Sequence, residues 1–210
     1  MNLIIRSLFL YLFALIGSPT FAQSNFFHRI ELANEISIEI PNQWEVLSHQ
    51  RKEQIRDAAS EIIDNAGIAK DNGEKQCLLA VNAIPEPTGA MIRVSVISPP
   101  DYTQADLAEA TSDDLELVRV ELQNMSMKLA ASTGLRKFKY QPVCVEKING
   151  CFALVIAYVR PSIIGPTPWM VKQYKIPRKD LLIEITLSHR KSDQNIWLPI
   201  LDRVLKSVKF

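Results

Sequence analysis

The residues that could do chemistry in this chain are few, and their spacing argues against most of it. His28, His49 and His189 are its only histidines. Zinc sites gather His, Cys or acidic ligands at short spacings, and none of these three has a second ligand nearby, so no metal site is expected. Ser188, His189 and Asp193 bring together the group types of a hydrolytic triad. A serine nucleophile of the G-x-S-x-G kind needs flanking glycines on a sharp turn, which are missing here. The three residues fit a polar strand end followed by a helix cap. Asp113, Asp114, Glu116 and Glu121 fit a solvated helix face better than a carboxylate pair working as acid and base. Glycine is scarce, at 7 in 210 residues, and no glycine-rich loop cradles a phosphate. The sequon Asn124-Met125-Ser126 falls inside a predicted helix and is read as chance. No catalytic residue and no cofactor are expected, and the chain is read as non-enzymatic.

The three cysteines, Cys77, Cys144 and Cys151, allow at most one internal disulfide. If Asn149 and Gly150 form a two-residue turn, Cys144 opposes Val155 and Cys151 opposes Ile148. The two sulfurs then share a face about 13 Å apart along the strand, which no bridge can span. A wider loop over 145–150 would set Cys144 opposite Cys151 and permit a Cys144–Cys151 disulfide. A bridge to Cys77, or three free thiols, are the other outcomes. One connection, residues 160–169, holds Ile163, Ile164 and Trp169 among prolines. Apolar groups on a loop can mark a binding patch, so these three are candidate partner contacts, against the alternative that they tuck onto the core.

The elements that would position these groups follow from periodicity. Ile36, Ile38 and Ile40 alternate with polar residues, as in a half-buried strand ended by Pro41. Ser48 caps a helix with apolar residues at Ile55, Ala58, Ile62 and Ala66, which Gly67 stops. Strands at 76–84 and 90–98 form a hairpin with a long loop. A helix over 104–132, capped by Thr103 with Asp106 three residues on, carries the stripe Leu107, Ala110, Leu115, Val118, Leu122, Met125 and Leu129. At about 42 Å it is long for one domain, and a break is expected near 111–113. Strands at 137–148, 151–160, 169–176 and 181–188 follow, with Pro142 placing or interrupting the first at an edge. A last helix opened by Ser192 or Asp193 carries Trp197, Ile200, Leu201, Val204 and Val208, with Pro199 disturbing its start. Strands 152–159 and 181–187 are apolar on much of both faces, so the sheet is covered on both sides. The expected fold class is α+β, a three-layer α/β/α sandwich around a mainly antiparallel sheet.

That element order, together with ISIEIPNQW from Ile36, NGCFALVIAYVRP from Asn149 and LLIEITLSHRKSDQNIWLPILDRVLKSV from Leu181, resembles the PsbP-like superfamily, which includes Ran-binding Mog and DcrB-like envelope proteins. The resemblance implies a mostly non-catalytic accessory, adaptor or binding role, with no catalytic residue to carry over.

Compartment comes from the N-terminus. Arg6, an apolar run over 8–16, the break at Gly17, Ser18 and Pro19, and small residues Thr20 and Ala22 read as a signal peptide, residues 1–22, cleaved after Ala22. The run is shorter than the roughly 20 residues that span a bilayer, and no cysteine follows it for lipidation, so no stable membrane insertion is expected after cleavage. A short lead-in, 23–34, precedes one domain over 35–210. Losing Arg6 takes the formal charge from +1 to zero, which argues against nucleic acid as a partner. The expected function is a periplasmic or secreted accessory protein that binds another envelope protein. The alternative is a small-molecule or lipid carrier with a cavity lined by Leu115, Val118 and Leu122.

Overall fold

The computed structural model describes residues 26–210 apart from 67, 69–72, 86–87, 135–137 and 163–165. The signal segment with Ala22, and also Gly67, Ile163 and Ile164, lie outside the described residues.

The lead-in holds a strand that its sequence does not advertise. β1 (Phe27–Glu31) pairs antiparallel with β2 (Ser37–Pro41) in a separate two-stranded ribbon. Alternation in β2 predicts its buried face, and Ile36, Ile38 and Ile40 are all at most 1% exposed. Arg29 of β1 donates to Ser37 Oγ, to Glu39 and to the carbonyl of Ser207, clipping the ribbon to the C-terminal helix.

The main sheet takes its strands from the rest of the chain: β3 (Glu45–Val46), β4 (Glu74–Asn82), β5 (Ala90–Ser98), β6 (Lys139–Tyr140), β7 (Cys144–Ile148), β8 (Cys151–Arg160), β9 (Trp169–Arg178) and β10 (Leu181–Arg190). They run in the order β3-β4-β5-β10-β9-β8-β6, with β7 also on β8, and every pairing is antiparallel. Pro142 lies in the gap between β6 and β7, so the expected strand 137–148 is interrupted where its missing N–H predicts.

Asn149 and Gly150, both at positive φ (47° and 86°), make the two-residue turn that favours such residues. Ile148 faces Cys151 and Cys144 faces Val155. That register separates the two sulfurs, so the Cys144–Cys151 bridge is not formed, and Cys77, Cys144 and Cys151 are all free thiols.

Four α-helices complete the fold among the described residues. α1 (His49–Asn65) has Ser48 as N-cap, its side chain accepting from Arg51 N. It buries no residue; Ile55 and Ile62 of its stripe are 43% and 39% exposed. The long helix is two: α2 (Gln104–Glu109) and α3 (Ser112–Thr133). Each opens with a Thr-x-x-Asp capping box, Thr103 with Asp106 and Thr111 with Asp114, and a second N-cap requires the break that length suggested. α4 (Gln194–Ser207) follows a 3-10 turn at Lys191–Asp193 and runs through Pro199.

Neighbouring residues of β8 divide the core in two. Ala153 and Val155 join the larger cluster with Ile176, Ile185, Val94, the ribbon and Leu201 and Val204 of α4. Leu154 and Ile156 join the smaller one with Leu107 of α2 and Leu115, Val118 and Leu122 of α3. A strand's side chains alternate between faces, so α2 and α3 cover one face and α4 with the ribbon covers the other.

Candidate functional site

The sheet register gathers three connections and the short strand β3 at one end. Asn82 pairs with Met91, Ala90 with His189, and Trp169 with both Arg190 and Arg160. β3, the β4–β5 loop, the β8–β9 loop and the junction of β10 with α4 therefore meet there. Backbone bonds fix the junction: Arg190 N donates to Gly89 O and Lys191 N to Pro168 O.

Two tryptophans build the floor of this end. Trp197, on the first turns of α4, meets Trp44 edge-on, with ring centroids 5.7 Å apart and planes at 78°, an arrangement favoured by the ring quadrupole. The indole also lies against Gly89: a Cβ there would sit 2.8 Å from Cζ2 and Nε1 of Trp197. Only glycine permits that approach. Trp197 Nε1 is buried and has no hydrogen-bond partner among the described residues.

Four large apolar side chains at this end are exposed. Ile196 is 61% exposed, Ile84 and Val46 47% each, and Leu198 43%. Ile196 and Leu198 lie 100° to either side of Trp197 on the helical wheel, so seating the tryptophan turns both outward. A shallow concavity of about 430 Å3 at the β3 edge is lined by Val46, Leu47, Arg51 and Asn82, with Glu45 and Ser48.

Trp169 sits at the same end but is 7% exposed, with the Arg160 guanidinium 5.2 Å over its ring. The indole is core, and Arg160 over it is itself half-buried. Leu115, Val118 and Leu122 are partly buried against Leu154 and Ile156, and neither that concavity nor a second one of about 590 Å3 touches them.

The polar candidates do not assemble. Ser188 and His189 are adjacent in β10 and point to opposite faces. His189 Nδ1 is engaged by the carbonyl of Arg190 at 2.9 Å, and Asp193 accepts from Ser192 Oγ. His28 Nδ1 meets Asn42 Oδ1 at 2.8 Å, while His49 opens α1. No group of three metal-ligating side chains occurs among the described residues.

A polar strip does cross the face beneath α2. Glu184, 7% exposed in its side chain, takes Lys75 at 2.5 Å and Lys175 at 3.8 Å. Nearby, burial pushes the Tyr102 phenol far up, helped by the negative charges of Asp101 and Glu184. Tyr140 is pushed up to about 12 chiefly by burial. Such phenols stay neutral and do not act as bases near pH 7. Gln104 anchors α2 over the strip, exchanging hydrogen bonds with Phe152 N and O and donating to Pro177 O. The charges of the strip end in ion pairs, while the buried Tyr102 hydroxyl has no hydrogen-bond partner among the described residues.

A helix pair, an antiparallel sheet, and a helix with its ribbon, in that layer order, make the PsbP-like fold. The solution structure of cyanobacterial PsbP (CyanoP) from Synechocystis matches with a TM-score of 0.56 over 92% of this chain and 98% of that one, at 14% identity. LpqN, involved in cell envelope biogenesis of Mycobacterium tuberculosis, matches at 0.44 with 11% identity, over 89% of this chain and 92% of its own. The Saccharomyces cerevisiae Ran-binding protein Mog1p matches at 0.41 with 9% identity, over 87% and 94%. At these identities the likeness is one of fold. No protein-family profile and no curated protein sequence matches the chain. No described helix is long and apolar enough to cross a membrane.

Proposed function

We propose that this chain is an exported accessory protein of the bacterial envelope, without catalysis of its own, that binds another envelope protein through the Trp44–Trp197 end of its sheet. The observation that carries the reading is the exposure of Ile84, Ile196 and Leu198 together around a rigid tryptophan floor. Aliphatic side chains on a preorganised aromatic base cost little ordering entropy when a partner covers them. Ile163 and Ile164 are proposed as further contacts, since the loop that carries them ends at Pro168, which is bonded to Lys191.

Native mass spectrometry of the protein released gently from its own envelope tests the reading. A complex with a second polypeptide in the wild type, lost in an Ile84→Asp, Ile196→Asp variant of unchanged Tm, supports it. A bound small molecule that survives those substitutions would favour a carrier instead.

A further inference from the structure

The opposite end of β4 has an open edge. β3 covers only its last residues: Glu45 pairs with Asn82, Val46 with Val81, and Leu47 N takes Ala80 O. Beyond that point Lys52 of α1 donates to Leu78 O, beside the bulge between Cys77 and Leu79 where the register with β5 shifts by one residue. From Glu74 to Cys77 no strand lies on the outer side among the described residues, although the inner side is paired with β5 throughout.

The space beside this stretch is shaped to match. A groove of about 590 Å3 is lined by every residue of 74–78, by Lys52 and Arg56 of α1, and by Glu31 of β1. Consecutive residues of a strand project to opposite faces, so a concavity touching all five runs along the edge and not over a face. Five residues give a lane about 17 Å long at about 3.4 Å per residue.

Native edges are commonly guarded by a lysine that would be buried by an incoming strand. Here Lys75, the lysine at that position, is held back onto the sheet face by Glu184. The remaining cations of the groove are also committed, Lys52 to Leu78 O and Arg56 to Glu53 and Asp57. Glu31 and Glu74 have no ion pair among the described residues. Two carboxylates are thus left open to a ligand, in a groove where Lys52 keeps its positive charge because its partner is a neutral carbonyl.

We propose that the 74–78 edge of β4 receives an extended, basic segment of a partner polypeptide as an added antiparallel or parallel strand, its backbone bonded to β4 and a lysine or arginine set against Glu31 and Glu74. Strand addition of this kind draws affinity from the main chain and selectivity from alternate side chains. The lane lies at the far end of the sheet from Trp44 and Trp197, so its test stands apart from that of the apolar end.

The probe is a blocked hexapeptide alternating lysine and valine, titrated into the isotopically labelled protein and followed by NMR. Expected are shift changes at 74–78 and 49–56, with slowed amide exchange on the outer side of β4. N-methylation of alternate amides on one edge of the peptide weakens binding about tenfold or more, and on the other edge leaves it intact, because only one edge bonds to β4. Glu31→Lys with Glu74→Lys lowers affinity for the lysine peptide about fivefold and raises it for a glutamate version. Equal binding of both N-methyl isomers, shifts centred elsewhere, or no binding at millimolar peptide would each overturn the proposal. So would concentration-dependent dimerisation through the same amides without peptide, which would make a second copy the occupant.

Discussion

Gly89 is where the packing of the apolar end is most exposed to test. Its backbone does not occupy the left-handed region, so alanine brings no conformational strain. On that ground alone Gly89→Ala should gain about 0.4–1 kcal/mol by restricting the unfolded chain. Against this, the new methyl would lie 2.8 Å from two atoms of the Trp197 indole and 2.9 Å from a third, well inside the roughly 3.5 Å of a relaxed carbon contact. The indole also packs edge-on against Trp44, so a shift away from residue 89 disturbs that contact. Overpacking of this kind costs about 1–3 kcal/mol, and the net loss is about 1–2 kcal/mol once the entropic gain of alanine is subtracted. For a chain of this length that is a fall of about 2–8 °C in Tm. Thermal and urea denaturation followed by circular dichroism measure it in four proteins: wild type, Gly89→Ala, Trp197→Phe and the double variant. The smaller phenyl ring removes the clash, so alanine at 89 should be neutral or stabilising in the Trp197→Phe background. An alanine cost that is the same in both backgrounds, or absent from both, would refute the claim that the indole is pinned on Gly89.

Two further outcomes follow from local geometry. All three thiols should react with an alkylating reagent once the protein is unfolded without reductant, because the 144–155 and 148–151 pairings keep Cys144 from Cys151; a count of one thiol by mass spectrometry would show a bridge. The capping carboxylates of Asp106 and Asp114 are held below the usual aspartate range by hydrogen bonds from Thr103 and Thr111. Their contribution is present above the unfolded value of about 4 and is lost as pH falls through the lower folded values. The protection of the Thr103 and Thr111 amides, their exchange taken relative to the intrinsic rate at each pH, should therefore fall below about pH 4 ahead of that of β10, and unchanged protection there would contradict the caps.

Local chemistry was readable where neighbours in sequence settle it. Asn149 and Gly150 dictate their turn through positive φ, and that turn alone sets the register of β7 on β8 and the fate of two cysteines. The Thr103 and Asp106 box was legible; the same pattern at Thr111 and Asp114 lay inside a continuous apolar stripe, so the break at 111–113 was signalled by helix length and not by its cap. Other features depend on distant residues. β1 has no alternating pattern and exists because β2 offers it an edge. The stripe of α1 identifies a helix but not its burial, since nothing in residues 49–65 says whether another layer reaches Ile55 and Ile62. At the apolar end, Trp197 was legible as part of the inner stripe of α4. Ile196 and Leu198 carried a usable signal, being large apolar residues off that stripe at 100° to either side, whereas the meeting of Trp197 with Trp44 and Gly89 needed the fold.

The central claim, that the Trp44–Trp197 end is the partner-binding surface, is tested most directly by photo-crosslinking in living cells with a benzophenone side chain at position 196, at position 84 and, as a control, at the exposed Leu117 of α3. One discrete second polypeptide should be joined at 196 and 84 and absent at 117. The same products from all three positions, or a discrete partner at 117 alone, would contradict it.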